Sequence, residues 1–348
     1  MLRIPGRLSA QRFLTEHWQK APLFMPGAIE PMRPSVSRNE LAWLATLEDV
    51  ESRIVFTEWR DDKRHYRVES GPFDPEFLQA LPKRDWTLLV HDVEKHLPSM
   101  RRLLLQVPFI PDWRIDDLMI SFAAPGGGVG PHQDNYDVFL CQGIGMREWR
   151  FTSAQVAEDP SASAELALLQ EFADGDSCLA KQGDVLYLPP GVPHWGTAQR
   201  ACITYSIGMR APAFYADPDL RLSEVRPGYI SPQARSRAGR DADRLGPSVT
   251  ELKPWLQPDR PEPDEISAIL ASRSARHRLR LHGMARIAYD DSTVYVNGAA
   301  RALEDSDRAA VARLCEQRRL DRASTATLED ACLQWLLEQG AFEQVDQE

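Results

Sequence analysis

With 348 residues, 43% of them hydrophobic and 26% charged, the chain is long enough for one large catalytic domain and a smaller one. No apolar run approaches the roughly 18–20 residues needed to span a bilayer, and MLRIPGRLSAQRF lacks an apolar h-region, so neither a membrane segment nor a signal peptide is expected. The net charge of −10 disfavours general nucleic-acid binding and would suit a basic partner. The five cysteines (Cys141, Cys178, Cys202, Cys315, Cys332) lack metal-type spacing and read as reduced thiols in a cytoplasmic protein.

Ser9–Trp18 and Ser37–Leu47 are predicted helices, the first with Ser9 as its cap, with Phe13, Leu14 and Trp18 apolar in the first and Leu41, Leu44 and Leu47 in the second. Arg53–Trp59 and His65–Glu69 read as strands around a polar turn, and Trp86–Val90 as a core strand. His91 and His96 flank two acidic residues; as a metal pair the spacing is weak, and a structural or solvated role is expected. In Trp113–Phe122, Asp117, Met119 and Ser121 alternate with Leu118, Ile120 and Phe122. If the apolar set faces the core, the other set can line a barrel mouth, where Asp117 would offer a carboxylate to a guanidinium.

The stretch Pro125–Phe151, PGGGVGPHQDNYDVFLCQGIGMREWRF, carries the sharpest chemistry. His132, Asp134 and Tyr136 stand two apart and are expected to project together from a strand entered by the glycine-rich loop. An imidazole and a carboxylate can bind a divalent metal but cannot complete its shell. Gln142–Gly145 reads as a hairpin turn. After it, Arg147, Trp149 and Phe151 share one face, and an inward guanidinium needs an anion, such as the dicarboxylate 2-oxoglutarate. Thr152–Leu179 is expected to be a helical excursion, with helix formers over Ala164–Phe172.

Downstream, GDVLYLPPGVPHWG (Gly183–Gly196) supplies a short buried strand, a Pro-Pro-Gly break and His194. Two histidines and a carboxylate on one side of a metal form the facial triad of non-haem Fe(II) oxygenases, leaving positions open for O2 and a co-substrate. Ala201–Met209 is a last strand on which Thr204 and Ser206 share a face. They are expected to hydrogen-bond co-substrate or substrate, Thr204 with Ser121 on the co-substrate side and Ser206 on the substrate side. Short strands, Gly/Pro turns and a two-part metal site fit a double-stranded β-helix, a jelly-roll-like barrel.

Ala211–Pro261 is rich in Pro, Arg and Asp, with little periodicity. Residues 262–348 read as a separate small domain. Helices are expected over Pro263–Ser272, Arg308–Glu316 and Thr327–Gln339, strands over Arg278–Arg280, Arg286–Ala288 and Thr293–Asn297, and a turn at Asn297-Gly298.

HQD with the distal GVPHWG, the GGGVGPH lead-in and the arginine after the GIG turn closely resemble the bacterial Jumonji-C-type ribosomal oxygenases. The resemblance runs from Phe13 to Gly208 and resumes at Pro263. It implies a mainly β fold with α: a Jumonji-C cupin domain over 1–210 with its barrel core at about 86–210, a linker or shortened dimerisation segment over 211–261, and a winged-helix-like domain over 262–348. It implies an Fe(II)- and 2-oxoglutarate-dependent hydroxylase in which His132, Asp134 and His194 hold iron and Arg147 binds 2-oxoglutarate. Residues matching Asp117, Met119 and Tyr136 are expected near a substrate arginine, on a large-subunit ribosomal protein, protein sixteen. The resemblance also implies a homodimer, through a dimerisation segment that is short here over 211–261. From Arg260 onward there are 12 basic against 16 acidic residues, a net of −4, so the small domain is expected to contact protein and not DNA. The alternatives are a hydroxylase of histidine or another residue, a 2-oxoglutarate-independent metal cupin, and a non-enzymatic metal-binding regulator.

Overall fold

In the computed structural model the alternating strands of the first 210 residues close around a shared apolar interior. The structure describes residues 8–29, 35–61, 63–160, 162, 167–210 and 214–344. The chain divides into two units, Met1–Val107 with Ile115–Met209 and Pro108–Arg114 with Arg210–Glu348.

The strands of the first unit are β1 (Leu23–Met25), β2 (Ser52–Arg60), β3 (Lys63–Ser70), β4 (Trp86–Val90), β5 (Ile115–Ala123), β6 (Val138–Ile144), β7 (Met146–Phe151), β8 (Asp176–Lys181), β9 (Val185–Leu188), β10 (His194–Ala198) and β11 (Cys202–Met209). Eight form an antiparallel sheet in the order β1-β9-β6-β11-β5-β4-β2-β3, and β10-β7-β8 form a second. Val138, Leu140, Leu186 and Leu188 of the larger sheet pack with Trp149, Phe151 and Ala180 of the smaller one, which makes the architecture a double-stranded β-helix.

Register fixes which side chains line the interior. Three cross-strand rows on β5, β11 and β6 share the face of Val138 and Leu140: Ser121–Thr204–Gln142, Met119–Ser206–Leu140 and Asp117–Gly208–Val138. The opposite face, with Phe139 and Tyr187, is covered by the helix Ala10–Glu16, whose Phe13 ring lies 5.7 Å from Phe139 and 4.9 Å from Tyr187. Burial on both faces accounts for the nearly unbroken apolar runs of β6 and β9. The predicted Ser9 cap forms, and the structure adds a second at Ser37. Ser9 accepts from the Arg12 N–H, and Ser37 makes a reciprocal capping box with Glu40 at the start of the helix Arg38–Leu44.

Three expectations are corrected. Gln142–Gly145 is no hairpin: β6 pairs with β11 and β9, β7 with β10 and β8, and the chain crosses between sheets at Gly145. There φ is +68°, and an added Cβ would meet the Ala201 carbonyl oxygen at 2.1 Å, so only glycine makes the crossing. His132–Tyr136 are not on a strand; β6 begins at Val138, and of these five residues only His132 makes a ladder contact, an isolated bridge to His194. The helical excursion is absent among the described residues of 152–179. Residues 164–166 of the expected Ala164–Phe172 helix lie outside them, while Leu169 bridges Glu158 and donates its N–H to the Pro131 carbonyl at 2.8 Å.

In the second unit the helices Pro232–Ala238 and Ala242–Thr250 bury Ala234, Ala238, Leu245 and Val249 with Trp113, Ala288 and Tyr295. Strands β12 (Leu279–Leu281), β13 (Ile287–Tyr289), β14 (Thr293–Val296), β15 (Ala299–Ala302) and β16 (Phe342–Gln344) form a β13-β14-β15 meander and a β12–β16 pair. Asn297 and Gly298, with φ of +51° and +86°, make the two-residue β14–β15 turn. The helices Pro263–Ala271, Asp305–Gln317 and Asp330–Glu338 supply Ile266, Ile269, Leu314, Leu333 and Leu336 to a second core. The helix Arg322–Thr327, with its Asp321 cap, was not expected from the sequence.

Candidate metal centre and its surroundings

His132 and His194 face each other across a reciprocal pair of backbone hydrogen bonds, His132 N–H to His194 O at 2.9 Å and His194 N–H to His132 O at 2.8 Å. Asp134 is tied to the same structure, because its carbonyl accepts the Gly191 N–H at 2.7 Å, the glycine of the Pro-Pro-Gly break. The two half-sites, remote in sequence, are thereby joined through backbone.

The imidazoles are held in one tautomer. His132 Nδ1 lies 2.9 Å from the Gly130 carbonyl oxygen and His194 Nδ1 lies 2.9 Å from that of Val192. A carbonyl only accepts, so each Nδ1 carries the proton and each neutral ring keeps its Nε2 lone pair for a metal. Asp134 Oδ2 is 3.7 Å from His194 Nε2, and one ligand atom from each of His132, Asp134 and His194 lies within 4.8 Å of the others. Burial, and then the neighbouring His132, push the His194 pKa down to about 4, which keeps the ring neutral and able to coordinate. This donor set, two neutral nitrogens and one carboxylate converging from one side, fits a divalent metal with positions left open. Among the described residues it is the one such group; His91 and His96 are not part of any.

Arg147 is 4% exposed, and its Nε and Nη2 have no hydrogen-bond partner among the described residues. In its cross-strand row it stands between Ala198 and Ala180, whose small side chains leave the guanidinium unobstructed. Its Cζ is 5.4 Å from the centre of the Trp149 ring, and that ring is 6.1 Å from the His194 ring. The close approach needs Gly196, where a Cβ would meet Trp149 at 2.6 Å. A buried cation without an anion is costly, so the interior is built for an anionic group beside the triad.

The other expected residues line the large-sheet wall. Ser121 and Thr204 are 2% and 1% exposed, and the Thr204 hydroxyl donates to Gln142 Oε1 at 3.2 Å. Met119 is half-buried and Ser206 buried in the next row. Asp117 closes the wall beside Gly208, where an added Cβ would meet Asp117 Oδ1 at 3.0 Å and Tyr136 Cε2 at 4.0 Å. Burial, then the carboxylates of Asp134 and Asp117, raise the Tyr136 pKa, so its phenol keeps its proton.

A JmjC domain is matched over residues 102–216 and a ROXA-like winged helix over residues 241–343. The chain is 33% identical over 321 residues to the ribosomal protein uL16 3-hydroxylase of Escherichia coli (strain K12), covering 82% of this chain and 83% of that protein. The chain belongs to the JmjC ribosomal oxygenases. A probable ribosomal oxygenase of Haemophilus influenzae is 34% identical over 268 residues, 72% of this chain and 64% of that protein. The structure of YcfD, a ribosomal oxygenase from Escherichia coli, in complex with cobalt and succinic acid superposes with a TM-score of 0.74 at 30% identity, covering 99% of each chain. Its complex with cobalt and 2-oxoglutarate gives 0.74 at 29% identity, again covering 99% of each.

Sequence reasoning missed two features of this JmjC site. Gln142 occupies an interior position as a buried polar residue, donating to the Ile144 carbonyl at 2.7 Å and the Ile203 carbonyl at 3.2 Å. Its signal was the break in the alternation Val138, Leu140, Gln142. His91, expected to be structural or solvated, bonds to Asp117, and no local pattern could have paired a residue just past β4 with one on β5.

Proposed function

We propose that the chain is an Fe(II)- and 2-oxoglutarate-dependent oxygenase that hydroxylates an arginine side chain of the large-subunit ribosomal protein uL16. The observation that carries the reading is the buried, unpartnered Arg147 guanidinium one aromatic ring away from a His–Asp–His donor set. The uL16 hydroxylase relative and the YcfD complex with cobalt and 2-oxoglutarate support it.

On this reading His132, Asp134 and His194 hold the metal through two Nε2 atoms and a carboxylate oxygen. Iron with 2-oxoglutarate and O2 supplies the oxidation of a C–H bond, coupled to decarboxylation of 2-oxoglutarate to succinate. Arg147 binds the distal carboxylate of 2-oxoglutarate, and Ser121 and Thr204 bind beside it. The apolar interior of Val138, Leu140, Leu186 and Leu188 excludes water around the reacting groups. Asp117 receives the substrate guanidinium, with Tyr136, Met119 and Ser206 shaping the mouth, so the target C–H is held in one pose. We assign catalysis to residues 1–210, with residues 211–261 joining them to a protein-contacting module over 262–348.

The deciding experiment is the intact mass of large-subunit ribosomal proteins from cells with and without the gene. Loss of one oxygen atom from an arginine of uL16 upholds the reading. If no ribosomal protein changes, the substrate assignment fails.

A further inference from the structure

We propose that His91, locked in one tautomer by Arg53, is the positioning residue that aims the Asp117 carboxylate at the substrate; this rests on the reading of Asp117 as the substrate contact. His91 directly follows β4, with its N–H bonded to the Glu51 carbonyl at 2.9 Å. Its ring sits between β2 and β5. Nε2 is 3.1 Å from Arg53 Nη2, and Nδ1 is 3.2 Å from Asp117 Oδ2.

The proton positions follow from donor chemistry. A guanidinium has no lone pair to offer, so in the Arg53–His91 contact the imidazole must accept. Nε2 is then unprotonated, and the only ring proton is on Nδ1, which donates to Asp117. A doubly protonated ring would turn an N–H toward a cation.

The consequence reaches the interior wall. The side chains of His91 and Asp117 are only 16% and 10% exposed, so their hydrogen bond competes little with solvent. With Oδ2 held by His91, the carboxylate presents Oδ1 at the Gly208 gap, next to Tyr136. A neutral ring donating to Oδ2 adds no positive charge beside the carboxylate that is to receive a guanidinium. A protonated histidine would add one. Arg53 thus serves the substrate site from two strands away without touching it.

The test uses the full-length, iron-loaded enzyme with recombinant uL16. His91→Leu is expected to raise KM for uL16 by roughly tenfold or more, the loss typical of one hydrogen bond to a charged group. KM for 2-oxoglutarate and the uncoupled conversion of 2-oxoglutarate to succinate should stay unchanged, which also reports that the variant folds. His91→Asn, whose amide can donate to Asp117, should recover most of the loss. Independently of turnover, imidazole 15N spectra of the protein at pH 7.5 should show His91 as the Nδ1–H tautomer, and Arg53→Met should release it. If Asp117→Asn raises KM for uL16 but His91→Leu does not, or if His91 carries its proton on Nε2, the proposal is overturned while the substrate role of Asp117 stands. If neither variant moves KM, that role falls and the proposal with it.

Discussion

The Nε2 atom of His194 stands 3.7 Å from Oδ2 of Asp134, although Asp134 lies in the loop before β6 and His194 opens β10. The bridge between His132 and His194 makes that approach part of the backbone rather than a matter of rotamer choice. A site organised before metal binding should convert metal affinity directly into stability. At a concentration 100-fold above Kd, a divalent metal such as Mn2+ should stabilise the protein by about 2.7 kcal/mol. Asp134→Ala should fold but show little of this shift, and should lose turnover. Thermal melts with and without metal, in wild type and variant, check this; equal shifts in both would place the metal elsewhere.

Arg147 sets function against stability. In the absence of an anion two nitrogens of its buried guanidinium are unpartnered among the described residues. Arg147→Met removes that desolvation cost while keeping much of the volume, so the ligand-free protein should be as stable as wild type or more so. The same variant should raise KM for 2-oxoglutarate by about 10–100-fold, the loss expected for a charge-assisted bidentate contact. A urea titration and a 2-oxoglutarate titration decide it. A variant that is clearly destabilised and still binds 2-oxoglutarate normally would show Arg147 to be a structural cation.

The His132–Asp134–His194 cluster and the buried Arg147 were legible because charged and imidazole side chains are conspicuous among glycines and strand formers. Period-two alternation then correctly gave the faces of β5, β7 and β11. Alternation does not name a strand's partner, however, and Gly-Ile-Gly serves a sheet crossing as well as a hairpin. His132–Tyr136 looked like a strand because its residues suit extended backbone, yet its hydrogen bonds go to His194 and to the Pro-Pro-Gly loop. At Leu168 and Leu169 local helix propensity lost to long-range bonds, with Leu168 O accepting from Asp159 N and Leu169 N donating to Pro131 O, each at 2.8 Å. In 211–261 the helix Ala242–Thr250 was masked by its own Gly246 and Pro247 and is recovered only through the burial of Leu245 and Val249.

Glu94 gives a pH signature near the substrate wall. Its carboxylate is buried and accepts the Leu118 N–H at 2.9 Å. Burial raises its pKa from 4.5 to about 7, with Lys95 opposing the shift and Asp117 and Asp92 adding to it. Between these values the folded state binds more protons than the unfolded chain, so this group's contribution weakens as pH rises from about 4.5 to about 7. Glu94→Gln keeps an acceptor for Leu118 and removes the charge. Its advantage over wild type should be small at pH 4.5, grow with pH, and level off above pH 7 on the order of 1–3 kcal/mol. Urea midpoints at pH 5 and pH 8 check the sign, and a pH-independent difference would mean that Glu94 is not the titrating group.

Gly208 offers the cleanest separation of substrate from co-substrate. It faces the interior between Asp117 and Val138, and a methyl group there would come within 3.0 Å of Asp117 Oδ1. The carboxylate must give way by a few tenths of an ångström, which is a small strain but a large change in aim for a hydrogen bond to a planar guanidinium. Thr204, in the row that also holds Ser121, is four residues away along β11, on the same face. Gly208→Ala should therefore raise KM for uL16 by roughly 5–30-fold, about 1–2 kcal/mol of lost binding, and leave KM for 2-oxoglutarate unchanged. Valine at the same position should extend the clash toward Tyr136 and remove turnover of uL16 while uncoupled succinate formation continues. If Gly208→Ala disturbs both Michaelis constants equally, the Asp117 end of the barrel is not separate from the co-substrate end, and the division of the wall into two halves is wrong.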